Sequence, residues 1–599
     1  MNPSVKLIIL FIVALVITMP VAIGQTSATP ARSRAAWTLP DAAEQVRRDK
    51  ALASKHKTFD PKENMVWAEV HNPGYAINLK SGSLGHPTMG SLSYALDLLD
   101  TGKPENLARA VAVLRKVLSL QDANPASKTY GLWSWYLEEP LEKMKTPDYN
   151  WADFGGTTLL QVARDHRARL PADLARAVDA SIVHCLRCIK KRNSPPSYTN
   201  IAVVGSYVTL IGGETLHLAE FLNYGRERLR RFYEYTLENG TFEEYNSPGY
   251  TMLALRELTR IKADTMDPEA QKIIDALLRT AWTEVARHFH APTRLWAGPH
   301  SRSYHSIPTG PSIQDIQRAT GGRVDFGVDP KNQGDPRIPI ACPADLAPLF
   351  QPLKEPRTVV ETFVKRFNRI GTTYLHPRFA LGSISNEDLW NQRRALLLYF
   401  GTYQKPGYMH LRFLKNDYDF SSAWITTAQK EGLVVGAVNF VTNGGDTHIS
   451  LDLVKRAKIK ARDLRLRLEF GGPAVDLVKI GGQKNSSAME IKAGDLSLSF
   501  DLLRARFGDL EGKLVAGGDD KLRWLDVVLY SGAEREFDLA ALQQAIIGFV
   551  FSVGPHGPVT SRLEAGKLVL GCDGLSVTAP VKPGPKPPGP VFAPNGLAK

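Results

Sequence analysis

The chain has 599 residues, of which 43% are hydrophobic and 23% are charged, as in an ordinary globular protein. This length is too great for one hydrophobic core, so we expect two large domains. The formal charge of +13 suits binding to acidic polysaccharide, nucleic acid or an anionic surface, or solubility alone, and the four cysteines exclude a disulfide scaffold.

The first 24 residues have the pattern of a secretory signal peptide. Lys6 supplies the positive charge, residues 7–19 form an apolar core, and residues 22–24 are a small-x-small cleavage site. Because the apolar run is short for a membrane span, we favour cleavage over an uncleaved anchor. We therefore predict an exported protein, periplasmic or secreted, without a stable membrane anchor after cleavage. Residues 25–40 are predicted to form a flexible leader.

Residues 41–350 are predicted to be mainly helical. Apolar side chains recur there at three-four spacing, and the connections are rich in Gly, Pro, Asn and Asp. Long helix pairs of this kind favour a bundle or an α/α toroid, which we expect to be the catalytic domain. The predicted helices are 42–55, 88–99, 106–120, 156–166, 171–192, 200–224, 229–238, 250–261 and 268–289.

Residues 356–579 are predicted to form an antiparallel β-sandwich. Short apolar segments alternate there with Gly, Asn and Asp turns. The fold class is therefore multidomain, an N-terminal α/α toroid followed by a β-sandwich. Residues 580–599 hold seven prolines and no periodicity, which predicts a disordered tail. The predicted strands are 379–383, 395–403, 409–414, 433–441, 448–454, 464–470, 488–493, 496–502, 524–530, 545–553 and 568–570.

A polar and aromatic segment, residues 240–250, lies between two predicted helices. Pro248 biases the preceding residue away from helical geometry, so Tyr245, Asn246 and Tyr250 would be presented at a helix mouth. Glu243 or Glu244 could simply supply a negative charge at the start of the next helix. That structural interpretation does not account for all the polar groups, and we predict that residues 240–250 form one wall of a sugar-binding cleft.

The facing wall is predicted at residues 296–305. This segment carries His300, Arg302 and Tyr304 in a stretch that contains Gly and Pro and has no helical periodicity. A lone histidine is usually structural or solvated. An imidazole, a guanidinium and a phenol within five positions make a better candidate active site.

Aromatic residues are concentrated near Trp133, Trp135 and Asn150. Pyranose rings stack on flat aromatic side chains, while amides and carboxylates bind the hydroxyl groups. The alternative is that the aromatics fill the toroid. We favour that alternative for Trp151 and Phe154, and the two interpretations are evenly balanced for Trp133 and Trp135.

Asn200 begins a predicted helix, where it could be an N-cap or could donate to a substrate carboxyl group. The sequence contains no zinc, calcium, nucleoside triphosphate or dinucleotide motif. We accordingly predict no metal, no cofactor and no nucleic-acid partner. The predicted partner is an acidic polysaccharide.

The inventory of Asn, His, Arg and Tyr suits β-elimination from a uronic acid. A base removes the weakly acidic proton at C5, and an acid protonates the departing O4. The neighbouring carboxylate must be neutralised so that the enolate-like intermediate is stabilised. Tyr and His suit the proton transfers, because a nearby cation can lower the pKa of a tyrosine.

Three motifs carry a family resemblance: Asp-Tyr-Asn-Trp at 148–151, Glu-Tyr-Asn-Ser-Pro at 244–248 and His-Ser-Arg-Ser-Tyr at 300–304. Together with the layout, they resemble exported polysaccharide lyases of the heparinase II/III-like and alginate or glucuronan lyase families. In such enzymes a tyrosine typically delivers the proton, with a histidine as partner and Asn or Arg neutralising the carboxylate.

By that resemblance Tyr304 is the acid and could serve as the base as well. His300 is then either the base or the group that neutralises the carboxylate. Asn200 and Arg302 would bind the carboxylate. The residues predicted to bind the sugar are Asn246, Tyr250, Tyr245, Trp133, Trp135, Asn150 and Glu244.

Two other functions remain open at this point. An α/α-toroid glycoside hydrolase would need two carboxylates flanking the scissile bond, and Asp153 and Glu244 are the obvious pair. That function gives His300, Arg302 and Tyr304 no necessary role. A non-catalytic glycan-binding protein would explain the basic charge and the aromatics, but not the two crowded polar segments.

Overall fold

The computed structural model describes residues 37–308, 311–329, 334–335, 337–446, 448, 451, 454–485 and 487–586. The predicted signal peptide, most of the predicted leader and residues 587–599 lie outside the described residues. The end of the predicted leader is packed, because Trp37 makes an edge contact with His166 at 4.9 Å between ring centroids.

The described residues form ten α-helices, and these precede nearly all of the sheet structure. They are α1 (Ala42–Lys57), α2 (Thr88–Asp100), α3 (Pro104–Ser119), α4 (Asn150–His166), α5 (Ala172–Arg192), α6 (Thr199–Thr215), α7 (Ala219–Asn239), α8 (Tyr250–Asp264), α9 (Pro268–His288) and α10 (Pro311–Ala319).

The helices pack in two rows. Consecutive helices pair as α2 with α3, α4 with α5, α6 with α7 and α8 with α9. The first members of the pairs, α2, α4, α6 and α8, contact one another in that order, while α5 contacts α3 and α9 contacts α7 on the other side. Since α6 is buried along nearly its whole length, its row is the inner one. This alternation is that of the predicted α/α toroid.

Several predicted helix boundaries are wrong: α4 begins at Asn150 rather than at residue 156, and the predicted break at residues 225–228 lies inside α7. The segment predicted as a single helix over residues 200–224 is divided between α6, which ends at Thr215, and α7, which begins at Ala219. His217 adopts a left-handed conformation with φ of 54°, and this turns the chain between the two helices. The turn itself contains neither Gly nor Pro, and the apolar spacing continues across it. The sequence pattern therefore did not indicate a break there.

Glycines let α6 and α7 approach closely. A Cβ added at Gly213 would lie 2.3 Å from the backbone nitrogen of Leu222, and one added at Gly225 would lie 2.5 Å from that of Leu210. Because these contacts are with backbone, no side-chain movement could relieve them. The two glycines therefore fix the spacing of the hairpin that ends in the polar segment 240–250.

Short strand pairs join the helices. They are β1 (Phe59–Asp60) with β2 (Met65–Val66), β3 (Ala68–Glu69) with β4 (Leu84–Gly85), and β5 (Phe289–His290) with β6 (Leu295–Trp296). The last pair follows α9 directly and begins the segment that contains residues 296–305.

The remaining strands form three antiparallel sheets within residues 357–580. They are β7 (Arg357–Val364), β8 (Arg369–His376), β9 (Phe379–Ser385), β10 (Glu387–Asp388), β11 (Leu396–Gly401), β12 (Pro406–Lys415), β13 (Tyr418–Asp419), β14 (Ala423–Lys430), β15 (Leu433–Phe440), β16 (Lys458–Gly471), β17 (Val478–Asn485), β18 (Ala488–Ala493), β19 (Leu496–Phe507), β20 (Leu510–Glu511), β21 (Lys513–Gly518), β22 (Arg523–Asp538), β23 (Ala545–Val553), β24 (Val559–Glu564), β25 (Lys567–Cys572) and β26 (Leu575–Pro580).

Two large sheets enclose the β-region core. One has the order β21-β22-β16-β12-β11-β9-β8-β7, with β13 on β12, and the other β10-β14-β15-β23-β19-β18-β17, with β20 on β19. Alternate side chains such as Leu398, Phe413 and Phe549 point between them and are fully buried. The small sheet β24-β25-β26 covers the outer face of β15 and β23. The predicted order of helices followed by antiparallel sheets is confirmed.

The β region differs from the predictions in several details, and β7, β8, β14, β17, β21, β24 and β26 lie where no strand was predicted. The described residues of the predicted strand 448–454 do not form a strand. Residues 580–586 of the predicted disordered tail are packed: Val581 is buried, and the Lys586 ammonium lies 3.3 Å from the Asp388 carboxylate. Within the described residues, no helix combines the length and apolar character that a membrane span requires.

Candidate active site

A cavity of about 410 Å³ lies where the inner helices meet the β region. Both predicted walls contribute to it, as does the segment around Asn150. Flat aromatic rings, arginines and carboxylates predominate in its lining, which suits a sugar ring with charged substituents. The lining residues are Tyr75, Ala76, Trp135, Thr146, Pro147, Asp148, Tyr149, Asn150, Trp151, Arg192, Ser197, Tyr198, Glu243, Glu244, Tyr250, Arg302, Tyr304, Arg369, Trp390, Arg393, Asp446 and His448.

Two tyrosines meet in this cavity. The hydroxyl oxygens of Tyr250 and Tyr304 are 2.7 Å apart, so one phenol donates to the other. Tyr250 is the first residue of α8, and its backbone N–H donates to Ser247 Oγ. The Ser247 hydroxyl in turn donates to the carbonyl of Arg302 at 2.5 Å. One serine therefore holds the two polar segments in register, and the tyrosines meet as a result.

The environments of the two phenols differ. Tyr304 is 62% exposed, whereas Tyr250 is only partly accessible. Burial raises the pKa of Tyr250 well above its ordinary value, although the nearby Arg302 acts in the opposite direction. The desolvation of the Tyr250 phenolate is therefore the larger of these two opposing effects. Tyr250 is a neutral phenol at physiological pH.

Arg302 is fixed beside the tyrosine pair. Its Nη1 donates to Glu244 Oε1 at 2.7 Å and its Nε donates to Gln392 Oε1 at 2.9 Å. Its guanidinium carbon lies 4.2 Å from the centre of the Tyr250 ring, a cation–π contact. Gln392 belongs to the β region, so the orientation of Arg302 depends on contacts from both halves of the chain.

Asn200 does not line the cavity. It lies in the first turn of α6, where its backbone N–H and its side-chain amide both donate to the Glu244 carboxylate at 2.7–2.9 Å. Tyr198, not Asn200, occupies the N-cap position. The helix N-terminus and Arg302 thus share one buried carboxylate, and the Asn200 amide is already engaged.

His300 lies behind the cavity wall and is only 1% exposed. Its Nδ1 lies 2.6 Å from the backbone carbonyl of Asn246, so Nδ1 carries the proton and Nε2 is the unprotonated nitrogen. Among the described residues Nε2 has no hydrogen-bond partner. Burial lowers the pKa of His300 to about 3. This neutral imidazole supports the loop and does not face the cavity.

Asn246 is likewise buried and structural in its contacts. It adopts a left-handed conformation with φ of 44°, and its amide donates to the carbonyls of Ala297 and Pro299 at 2.8 Å. Its oxygen accepts from the indole of Trp296. Its backbone N–H donates to Glu284 at 2.6 Å. Asn246 therefore joins the two walls rather than contacting the cavity.

Tyr245 connects the helical region to the β region. Its ring stacks on Phe363 at 4.2 Å, and its hydroxyl donates to Glu387 at 2.9 Å. The side chain is fully buried and does not line the cavity. Tyr245 thus holds the wall in place without reaching a ligand.

Trp133 and Trp135, the two tryptophans of the aromatic cluster, lie in different environments. Trp133 is fully buried, and its indole N–H donates to the carbonyl of Val117, so it belongs to the core. Trp135 lines the cavity and stacks on Trp151 with ring centroids 5.1 Å apart and planes at 14°. The assignment of Trp151 to the core is therefore incomplete, because Trp151 completes an aromatic surface beside the cavity.

Asn150 is part of a polar chain along the helical wall. Its oxygen accepts from Arg192 Nη2 at 2.7 Å, and its amide lies 3.3 Å from the Tyr198 hydroxyl. Arg192 also contacts Asp153 at 3.3 Å. Asp153 is 1% exposed, lies behind the lining, and has its pKa raised to about 6 by burial. It does not face Glu244 across the cavity.

His448 is a cavity residue that the sequence analysis missed. It belongs to the segment wrongly predicted as a strand, and its ring lies 5.8 Å from Tyr75 and 5.1 Å from Trp390 between centroids. Burial, followed by the nearby Arg302, lowers its pKa to about 4. The imidazole is therefore neutral at physiological pH. No local motif marks it, because only the folded chain brings it to the other walls.

The β region contributes further charges to the wall. Arg393 donates to the carbonyl of Ser301 at 2.6 Å and pairs with Asp388 and Asp446 at 3.3 Å. These paired carboxylates offset the free-energy cost of burying the Arg393 guanidinium. In the part of the chain that the structure describes, no group of three or more His, Cys, Asp or Glu side chains is arranged to hold a metal ion.

A protein-family model described as a domain of unknown function, DUF8769, matches residues 56–308. This range covers most of the helical region and ends just after the segment that carries Arg302 and Tyr304. No curated protein matches the chain.

Among solved structures, heparinase III is similar at 9% identity, covering 92% of each chain, with a TM-score of 0.44. The chondroitin AC lyase of Streptomyces coelicolor A3 in complex with chondroitin sulphate is similar at 10% identity, covering 91% of this chain and 86% of that one, with a TM-score of 0.47. The heparan sulfate lyase HepC from Pedobacter heparinus is similar at 10% identity, covering 82% and 81%, with a TM-score of 0.35. These neighbours are polysaccharide lyases, the class that the three sequence motifs and the layout of the chain resemble.

Proposed function

We propose that this protein is a polysaccharide lyase that cleaves a uronic-acid-containing polysaccharide by β-elimination. The observation that supports this most is the pair formed by Tyr250 and Tyr304 at 2.7 Å beside the guanidinium of Arg302. Proton donors and a fixed cation adjoin one another in a cavity with an aromatic surface, and β-elimination needs these groups together.

Arg302 is the group that we assign to the substrate carboxylate. Its Nε donates to Gln392 and its Nη1 donates to Glu244, and neither of these hydrogen bonds uses its Nη2. The two occupied nitrogens fix the plane of the guanidinium, so Nη2 is preorganised to donate. Neutralising the carboxylate lowers the free energy of the enolate-like intermediate that forms when C5 loses its proton.

Tyr304 is the residue that we assign to protonation of the departing O4. It is the more exposed member of the pair, and its hydroxyl can reach a sugar while Tyr250 supports it by hydrogen bonding. Tyr250, whose pKa is raised, keeps its proton and can donate it in a hydrogen bond to the Tyr304 oxygen. We assign removal of the C5 proton to the neutral imidazole of His448, in place of His300, whose ring is enclosed behind the wall.

Other cavity residues would bind the sugar. Trp135 and Trp151 offer an aromatic surface on which a pyranose ring can stack. The hydroxyl of Tyr198 and the amide of Asn150 line the same wall and suit sugar hydroxyl groups. Glu244 and Asn200 act through Arg302, which they help to orient.

The hydrolase alternative is less well supported by this geometry. A hydrolase needs two carboxyl groups that both reach the bond. Asp153 is enclosed behind the cavity lining, and the carboxylate of Glu244 accepts hydrogen bonds from Asn200 and Arg302.

We further propose, from the pattern of residues 1–24 alone, that the protein is exported to the periplasm or secreted.

Ultraviolet absorbance tests the proposal, because a lyase creates a conjugated double bond in its unsaturated uronate product. The purified protein is incubated with alginate, glucuronan, hyaluronan and heparin, and with each polymer alone. A rise in absorbance that needs Tyr304 supports the lyase. New reducing ends without absorbance would instead indicate a hydrolase, and binding without either would indicate a glycan-binding protein.

A further inference from the structure

A second cavity, of about 440 Å³, adjoins the first at Tyr304. Tyr304 lines both cavities and is 62% exposed. The second cavity extends from Tyr304 over the edge of the β region rather than between the helices. Its lining includes Tyr304, His305, Asn391, Arg394, Arg412 and Glu469.

One segment of the β region forms part of both cavities. Within residues 390–394, Trp390 and Arg393 line the first cavity, while Asn391 and Arg394 line the second. Two buried polar atoms at the second cavity, Arg394 Nε and Asn391 Oδ1, have no hydrogen-bond partner among the described residues. Buried polar atoms are normally paired, so a donor and an acceptor without partners are expected near a site that takes a polar ligand.

The floor of the second cavity is a rigid polar array on β12, β13 and β16. Arg412 donates to both oxygens of Asp419 at 3.0 and 2.6 Å and to Glu469 at 2.6 Å. The hydroxyl of Tyr408 donates to Glu469 at 3.3 Å. These contacts fix the carboxylates, which keep lone pairs available to accept from hydroxyl groups. The charges of Arg394 and Arg412 are matched by those of Asp419 and Glu469.

We propose that the second cavity is a binding site for hydroxyl-rich sugar residues of the same polysaccharide. The chain would then lie across Tyr304, with sugar residues bound on both sides of the bond that is cleaved. A balanced array of fixed carboxylates and arginines suits sugar hydroxyl groups better than a cluster of anionic groups. The consequence is cleavage inside the polymer rather than at its ends. This inference rests on the proposed function for its catalytic part, but its binding part can be tested separately.

The binding test uses the full chain carrying Tyr304→Phe, which retains the ring. Its affinity for alginate, glucuronan and hyaluronan is compared with that of the same protein carrying His305→Ala and Asn391→Ala in addition. Both added changes are at accessible cavity-lining positions, and circular dichroism checks that the protein is folded. We expect the additional changes to weaken binding of the recognised polymer about tenfold. His71→Ala, an exposed histidine outside both cavities, is the matched control and should leave the affinity unchanged.

The cleavage test follows viscosity and absorbance together with the wild-type protein. Internal cleavage lowers the viscosity early, before much absorbance has formed. Two results would overturn this inference and leave the lyase proposal intact. One is absorbance that rises while the polymer stays long, and the other is an unchanged affinity in the variant that carries the His305 and Asn391 changes. Binding that weakens tenfold without any absorbance would support the second site and overturn the lyase. Absence of both binding and absorbance on every polymer would overturn both.

Discussion

The hydroxyl groups of Tyr250 and Tyr304 lie 2.7 Å apart although 53 residues separate them along the chain, Tyr250 opening α8 and Tyr304 lying in the loop that follows β6. Ser247 connects the same two segments through the carbonyl of Arg302. The proton donors and the cation of the proposed site are thus positioned by one hydrogen-bond network.

The first prediction concerns this pair. Tyr250→Phe and Tyr304→Phe should each lower kcat by about a hundredfold or more, because general acid catalysis contributes roughly that much. Each change removes only an oxygen, so folding should be unaffected. The measurement is the initial rate of absorbance increase on the polymer that the wild type cleaves.

Tyr530→Phe is the matched control for both changes, since its hydroxyl donates to the carbonyl of Ala533 and does not line the cavity. It should retain full activity. A fully active Tyr304→Phe would remove the acid from the proposed mechanism and leave Tyr250 as the remaining phenol.

Glu244 provides the second prediction. Its carboxylate is 7% exposed and accepts from Arg302 and Asn200, so Glu244→Ala should destabilise the protein by about 3 kcal/mol. Removing the carboxylate leaves a buried guanidinium uncompensated. Urea unfolding measures the loss. Arg230→Ala, which breaks an exposed pair with Glu227 on α7, should cost less than about 1 kcal/mol.

Glu244→Gln also separates the two enzyme classes. In the lyase Glu244 acts through Arg302, so the glutamine variant should keep a measurable absorbance-forming rate with a raised KM. A hydrolase that uses Glu244 for proton transfer would lose its activity altogether. Retained reducing-end release without absorbance in this variant would contradict both assignments of Glu244.

The third prediction is a pH profile. Burial and Arg302 lower the pKa of His448 to about 4, so its imidazole is neutral and able to accept a proton above that pH. We expect the acidic limb of kcat/KM to fall near this pH, well below the ordinary histidine pKa. His448→Gln should lower the rate about a hundredfold and remove that limb. An unchanged limb in the variant would assign the base to another group.

The sequence was sufficient to predict the order of helices and sheets and the two polar segments of the site. Helical periodicity and strand spacing indicate which side chains are buried, and both patterns lie within short segments of the sequence. Arg302, Tyr304 and Tyr250 could be chosen because several polar and aromatic groups occur close together without periodicity. The functional groups of these side chains are known from the sequence, whatever path the loop follows.

The orientation of side chains within those segments was not predictable. Within one loop Arg302 faces the cavity, whereas His300 turns inward because the carbonyl of Asn246 accepts its Nδ1–H. Tyr245 and Asn246 also turn away from the cavity, the first to meet Phe363 and Glu387 of the β region. These partners lie from about fifty to more than a hundred residues away, so no local pattern reports them. His448 was missed for the same reason.

The last prediction concerns acid stability. The pKa of His300 is lowered to about 3 because its Nε2 is buried without an acceptor and Arg394 is nearby. The unfolded chain binds this proton near pH 6.5, so between pH 6.5 and 3 the unfolded state holds more protons than the folded state. Stability must therefore be lost as the pH falls below 6.5, by about 1.4 kcal/mol per pH unit for this histidine. His300→Gln, whose amide can still donate to the carbonyl of Asn246, should reduce that slope by about this amount in urea unfolding at pH 7, 6 and 5. Equal slopes for the wild type and His300→Gln would mean that His300 is not held neutral in the folded protein.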